Sequence, residues 1–268
     1  MKFLRASKAV LKAYLTAELI RSKGLAFGLM SLAIWLSMFI TPVTFFAESQ
    51  AQAGTLSAGV LIGISVFLAY STATWDWAWL LRWLLQLGVL EYVIASGSSI
   101  FTHYLGMVPV SIAWYSVALL IAYGVVSTFV APPTIALVNP LLFLAGVASL
   151  LFVLLAYAML LGGTIIGAGS AGPVVEFISW ILPVATGGLT PLKSLPTVVQ
   201  NIALATPFSY PAELIRYSLG VSNPILDPNL TALIGILYST AFLAFSTAFM
   251  KYQLRKMLKE GVKSVAAF

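Results

Sequence analysis

Long uncharged apolar runs, separated by short polar stretches, dominate the chain. A run of about 20 residues is enough for a helix to cross about 30 Å of hydrocarbon. The runs are continuous and do not alternate with a period of two, so they favour helices over a transmembrane barrel. The pattern predicts six spans, at about 25–47, 55–75, 104–130, 141–163, 174–189 and 229–250, the fifth being shorter and containing Pro183.

Proline and glycine mark the breaks between the later spans. Pro132-Pro133 and Asn139-Pro140 separate the third span from the fourth, and a Gly-rich link, 162–172, precedes the fifth. In segment 190–228, two apolar pieces, 197–205 and 211–219, are each too short to cross a membrane. They predict a re-entrant or interfacial helical hairpin, with Pro211 at a helix start and Gly220 as a C-terminal cap.

The two ends of the chain are polar and basic. In segment 1–23, Arg5, Lys8 and Lys12 recur at helical spacing beside an apolar stripe, which predicts an amphipathic helix over 3–20 lying in the membrane interface. After the sixth span, 251–268 forms a basic tail.

Composition agrees with this pattern. Of 268 residues, 60% are hydrophobic and only 8% are charged, far below the roughly 25% of ordinary soluble domains. The sequence therefore predicts an all-α polytopic membrane protein with a single transmembrane domain, 1–268. Having no cysteine excludes disulfides and thiolate metal sites, and one histidine, His103, leaves little for a histidine-based metal or catalytic site.

The positive charge predicts orientation and not nucleic-acid binding. All of the 14 lysines and arginines except Lys193 and Arg216 lie in the two ends or at Arg82. By the positive-inside rule, both termini are then cytoplasmic in a multi-pass cell-membrane protein. With six spans, the segment 76–103 is also cytoplasmic, and 190–228 is external.

Within that segment, Arg82 and Glu91 stand between two long apolar runs. If residues 82–94 formed one helix, the two side chains would lie about 180° apart and neither would neutralise the other. Glu91 therefore needs water or another partner.

Two blocks resemble the transmembrane subunits of ABC-2-type ABC transporters. The first is Gly88-Val89-Leu90-Glu91-Tyr92-Val93-Ile94-Ala95-Ser96, which is similar to the family's cytoplasmic Gly-Thr-Leu-Glu-Tyr-Leu pattern and its Ser-Pro pair. It departs from that pattern at Val89, where Thr is usual, and at Gly97, where Pro is. The second block runs from Gly187-Gly188 through Thr190-Pro191 and Leu195-Pro196, and continues with Pro207-Phe208-Ser209-Tyr210 and Arg216. The order of spans agrees over nearly the whole chain.

The resemblance implies that the first block couples the chain to a separate ATPase subunit. The chain has no Gly-x-x-x-x-Gly-Lys-Ser/Thr loop to cradle phosphates, so ATP and Mg are expected on that nucleotide-binding partner and no cofactor on this chain. Six spans are half of the family's usual set, which implies a second transmembrane subunit, a homodimer. The expected coupling residues are Arg82, Gly88, Leu90, Glu91, Tyr92 and Ser96.

The resemblance also implies a substrate pathway between two copies, beside the second and fifth spans. Its expected residues are Phe67, Tyr70, Glu176, Phe177, Trp180 and Ile181. Such a lining favours an amphiphilic or hydrophobic cargo, and the resemblance implies that it is exported. The expected external hairpin or gate comprises Gly187, Gly188, Pro191, Pro196, Pro207, Tyr210 and Arg216.

Two other classes were weighed. An ion-coupled secondary transporter usually has acids near mid-membrane and repeated halves, whereas no convincing repeat is found here and most acids lie near span ends. An intramembrane serine protease would rely on Ser170, but Ala168 stands where a Gly-x-Ser elbow has glycine, and His103 lies near a different helix end.

Overall fold

The computed structural model describes residues 2–20, 24, 27–31, 33–35, 50–95, 99–168 and 172–261. Within these ranges every regular element is helical. The α-helices are α1 Lys2–Tyr14, α2 Gln50–Thr72, α3 Trp79–Gln86, α4 Leu90–Ala95, α5 Ile100–Phe129, α6 Pro140–Ala168, α7 Gly172–Ala185, α8 Thr197–Leu204, α9 Ser209–Ser218 and α10 Pro228–Glu260. The π-helical segments Leu15–Ile20 and Ala73–Ala78 and the 3-10 turn Leu192–Ser194 are also present.

Four helices in the described part of the chain are long and apolar enough to cross a membrane: Ala53–Gln86, Ile100–Phe129, Pro140–Ala168 and Pro228–Glu260. The shortest has 29 residues, or about 44 Å of helix. The chain is therefore an all-α membrane protein. Most of the predicted first span, 25–47, lies outside the described residues, and α7, with 14 residues, extends only about 21 Å.

The second predicted span continues further than expected. We call Ala53–Gln86 the long helix, in which the π-helical segment Ala73–Ala78 joins α2 to α3. The helix does not end with the predicted span near residue 75, because Trp77, Leu81 and Leu85 are buried beyond it, and that buried face keeps the chain helical. The aromatic residues that suggested an exit from the membrane lie within the helix.

The centre of the bundle is α6, which packs against α10, α9 and the long helix. Small residues allow these close approaches. A β-carbon at Gly163 would lie 2.9 Å from the ring of Phe249, and one at Gly146 would lie 3.1 Å from Ile215. The prediction that a link begins at Gly162 was wrong for this reason: the helix runs to Ala168, and its glycines serve packing.

Other boundaries agree with the sequence. The third and fourth spans are separated where the prolines predict, and the side chain of Asn139 accepts a hydrogen bond of 3.1 Å from the Leu142 amide at the start of α6. The hairpin pieces form α8 and α9. The helix of the sixth span is longer than the predicted span, since α10 includes the first ten residues of the basic tail, 251–260.

Packing contacts show which elements lie at each end of the bundle. At one end, α1 packs on α5, where Gly106 leaves room for Val10, and Gly167 faces Gln253 of the tail. At the other end, Gly235 faces Tyr210 of α9, and a β-carbon at Gly63 would overlap the carbonyl oxygen of Leu189. The basic ends and α4 therefore share one end, and the helical hairpin lies at the opposite one.

Gly63 and Gly59 provide a matched test of the contact between the long helix and the turn at Leu189. Gly63→Ala should lower the free energy of unfolding by about 1–3 kcal/mol, because its methyl group overlaps backbone that must shift. Gly59→Ala meets nothing within 4 Å and should be neutral or slightly stabilising, since alanine favours helix. Denaturation of the purified chain in detergent measures both, and equal stability of the two variants would contradict the packing described.

Candidate functional site

The turn before α4 explains the glycine of the first block. Gly88 has φ +65°, and the Val89 amide donates to the Leu84 carbonyl at 2.9 Å while the Gly88 amide donates to Leu85 at 3.0 Å. This is a Schellman cap, which ends a helix with a residue of positive φ, usually glycine. The cap ends α3 and lets the chain change direction before α4. Residues 82–94 are therefore not one helix.

The helix α4 has one buried anchor and an outward face. Leu90 is fully buried, whereas Glu91 is exposed and Tyr92 is 76% exposed. Leu87, in the preceding turn, is also exposed. Arg82 lies before the turn, with its guanidinium carbon 4.3 Å from the centre of the Trp79 ring. Ser96 lies outside the described residues.

Five of the six predicted pathway residues separate into two groups. Phe67 lies between Trp35 and Trp180, with ring centres 5.6 and 5.7 Å away, and these residues line a cavity of about 250 Å³ between α2 and α7. On α7, Glu176, Phe177 and Ile181 are exposed. The structure thus brings Phe67 and Trp180 together and leaves the other three on an open face.

Tyr70 lies elsewhere. It is 1% exposed, its ring packs edge-on against Tyr157 and Phe208, and its hydroxyl donates to the Phe208 carbonyl at 3.3 Å. The Thr74 hydroxyl in turn donates to the Tyr157 hydroxyl at 3.2 Å. Tyr70 therefore joins the long helix to α6 and the hairpin, inside the core and apart from the cavity beside Phe67.

In the second block, from Gly187 to Arg216, the Arg216 side chain lies at the centre of the contacts. This side chain is fully buried in α9 and donates hydrogen bonds to the backbone carbonyls of Gly187 and Gly188, the latter at 2.8 Å. These carbonyls belong to the turn that follows α7, where Gly187 has φ +73°. One guanidinium thus satisfies two backbone acceptors in the turn that follows α7.

Glu213 completes this cluster, one turn before Arg216. Its Oε1 accepts a hydrogen bond of 3.0 Å from the Leu192 amide and lies 3.9 Å from the Arg216 guanidinium. Burial raises the pKa of Glu213, while the Leu192 bond and the charge of Arg216 oppose that rise. Burial lowers the pKa of Arg216 to about 10, which leaves the guanidinium charged at neutral pH. We call Glu213, Arg216 and the turn 187–192 the arginine cluster.

The remaining residues of the block shape the chain around the arginine cluster. Pro191 and Pro196 precede the 3-10 turn and α8, respectively. Tyr210 is buried, donates its hydroxyl hydrogen bond to the Leu204 carbonyl, and packs against Tyr238 of α10. Pro207 lies half-buried in the turn between α8 and α9. Sequence reasoning did not single out Glu213, although its i, i+3 spacing from Arg216 is a signal that points to a pair.

Catalytic and metal chemistry finds no further support in this geometry. Within the described ranges, no three His, Cys, Asp or Glu side chains lie close enough to bind a metal ion. Ser170, the serine of the protease alternative, lies outside those ranges.

In comparisons with known proteins, the chain matches no family model and no curated protein.

Arg216→Ala should lower the free energy of unfolding by about 3–5 kcal/mol, because it leaves two buried carbonyls without their donor and the buried Glu213 without its opposite charge. Arg216→Lys should recover only part of the loss, since an ammonium cannot reproduce the planar fork. Denaturation in detergent provides the measurement.

Lys193→Ala is the control for Arg216→Ala. It removes a neighbouring but exposed positive charge and should change the stability by no more than about 0.5 kcal/mol. If Arg216→Ala were as stable as Lys193→Ala, the cluster would not hold the hairpin.

Proposed function

We propose that this chain is the transmembrane subunit of an ATP-driven ABC exporter of the ABC-2 type. It pairs with a separate nucleotide-binding subunit, which holds ATP and Mg, and with a second copy of itself. It lies in the cell membrane with both termini in the cytoplasm. By alternating access it moves an amphiphilic or hydrophobic substrate, such as a drug, lipid or glycan-like molecule, out of the cell.

The form of α4 carries this proposal. A short helix that is anchored by one buried leucine, and that presents an acid and an aromatic ring outward, is suited to dock against another protein. Its N-terminal side is fixed to the long helix by the Schellman cap, and α5 begins at Ile100 on its other side. A force on α4 is then transmitted to the long helix and to α5. In this way a soluble ATPase can act on a membrane bundle.

The long helix provides a way for a movement of α4 to reach the opposite end of the bundle. Beyond α4, it runs through the core to Val66 and Gly63, which lie against Gly188 and Leu189 of the arginine cluster. Because packed helices move as stiff bodies, a tilt of the long helix at α4 also displaces the turn at Gly188. Alternating access requires such a connection between the ATPase side and the external gate.

The exposed face of α7 supports pairing with a second copy. Phe177 and Trp180 are each more than half exposed, and Ile181 is 44% exposed. Two copies that meet across this face would place these side chains beside the cavity at Phe67. An apolar and aromatic path of this kind favours an amphiphilic cargo over bare ions.

Glu91→Arg should reduce transport per ATP hydrolysed by about tenfold or more, because reversing a charge in a docked interface is costly. Glu91→Gln, which keeps the shape and removes the charge, should show a smaller loss in the same direction. The assay compares transport and ATP hydrolysis in vesicles that contain the chain and its ATPase subunit.

Asn201→Ala, in the hairpin at the opposite end, is the control for expression and assembly. Unchanged coupling in Glu91→Arg would contradict the role of α4. Transport driven by an ion gradient without nucleotide would favour the secondary-transporter alternative.

A further inference from the structure

A cavity of about 440 Å³ lies between the long helix and α5, with Tyr14 of α1 at its edge. Cavities of this size are typical of sites for small molecules. It is largely distinct from the cavity beside Phe67 and Trp180, with which it shares only Leu68 and Trp75 among its lining residues. Neither the coupling role of α4 nor the arginine cluster accounts for it.

The lining of this cavity is rich in aromatic rings. The long helix contributes Trp75 and Trp83, α5 contributes Trp114 and Tyr115, and α1 contributes Tyr14. Aromatic faces carry partial negative charge and attract organic cations, tryptophan most strongly. Several such rings around one space are characteristic of sites for quaternary ammonium groups.

Asp76 adds a carboxylate to the same cavity. Within the four membrane-spanning helices, the only acids are Asp76 and Glu260, which is the last residue of α10. An acid on such an apolar helix is a candidate for a functional group. The long helix continues ten residues beyond Asp76, so this side chain lies on a packed helix and not in a loop.

The local backbone directs Asp76 and Trp75 towards the cavity. Both belong to the π-helical segment Ala73–Ala78, a form that is rare and frequently found at functional sites. Within it Thr74 and Trp77 are buried in the core, while Trp75 and Asp76 are exposed. The wider turn thus separates a packing face from a face that lines the cavity.

Hydrogen bonds hold the walls of the cavity in place. The Trp77 indole donates to the Ser111 hydroxyl at 2.9 Å, and the Tyr115 hydroxyl donates to the Ser65 carbonyl at 2.9 Å. Both bonds join the long helix to α5. The space is therefore formed before any ligand enters, which reduces the free energy needed to order the site on binding.

A smaller apolar cavity adjoins the first. It has a volume of about 150 Å³ and shares Thr72, Ser111 and Tyr115 with it, while Val147, Leu150 and Leu154 supply an apolar wall from α6. The first cavity also has an apolar part of its own, lined by Leu80, Met107 and Val110. A ligand with a charged group near Asp76 and an apolar body would fit this cavity.

We propose that the first cavity forms a binding site for an amphiphilic organic cation, such as a quaternary or tertiary ammonium compound. The aromatic rings and Asp76 hold the charged group, and Leu80, Met107 and Val110 hold the apolar body. Binding requires only this chain, so the proposal stands apart from the exporter assignment and from the ATPase partner.

Phenyltrimethylammonium and tert-butylbenzene are matched probes, since they share a shape and differ in charge. Titration calorimetry of the purified chain in neutral detergent should show binding of the cation and at least about tenfold weaker binding of the neutral compound. Asp76→Asn should weaken binding of the cation by about tenfold or more. Asp227→Asn makes the same chemical change at an exposed helix cap, where asparagine also caps, and should leave the affinity unchanged.

Trp83→Leu tests the site even if Asp76→Asn does not fold. Trp83 is 56% exposed, so its replacement leaves the core intact, and it should weaken cation binding by about threefold or more. Equal affinity for the two probes, or wild-type affinity in Trp83→Leu or in a folded Asp76→Asn, would overturn the proposal. None of these results depends on the Glu91 assay, so the binding site and the exporter assignment fail or succeed separately.

Discussion

The unbroken run of the long helix, Ala53–Gln86, is the constraint on which the rest of the structure depends. At one end it packs against the turn of the arginine cluster through Gly63 and Val66, and at the other it leads through the Gly88 cap into α4. Between these ends it forms walls of both aromatic cavities. A stiff helix that contacts all of these sites makes it difficult to move one of them without moving the others.

The same physical requirement shapes the Gly88 turn and the arginine cluster: backbone groups that leave a helix inside a membrane protein need other partners. At the cytoplasmic side of the proposed orientation, the Schellman cap at Gly88 supplies those partners from within the chain. On the opposite side, Arg216 supplies them to Gly187 and Gly188 from a separate helix. A buried arginine is costly, and its retention here is explained by the two carbonyls and the carboxylate that it satisfies.

Much of the helical architecture could be predicted, because prolines and the lengths of apolar runs report directly on helix boundaries. The breaks at Pro132 and Asn139 and the hairpin helices α8 and α9 agree with the sequence pattern. The continuation of the second helix past residue 75 could not be predicted, because only the tertiary burial of Trp77 and Leu81 reveals it. The hydrogen bond from the Leu192 amide to Glu213 and the cavity at Asp76 depend on contacts between distant segments, which periodicity does not encode.

The side of the membrane on which α4 lies is the most direct test of this account. The chain has no native cysteine, so Tyr92→Cys and Asn201→Cys each introduce a single exposed thiol, at α4 and in the hairpin, respectively. With a membrane-impermeant maleimide, the account predicts that intact cells label only Asn201→Cys, and that Tyr92→Cys labels after permeabilisation. Labelling of Tyr92→Cys from outside, or of both thiols from the same side, would contradict it.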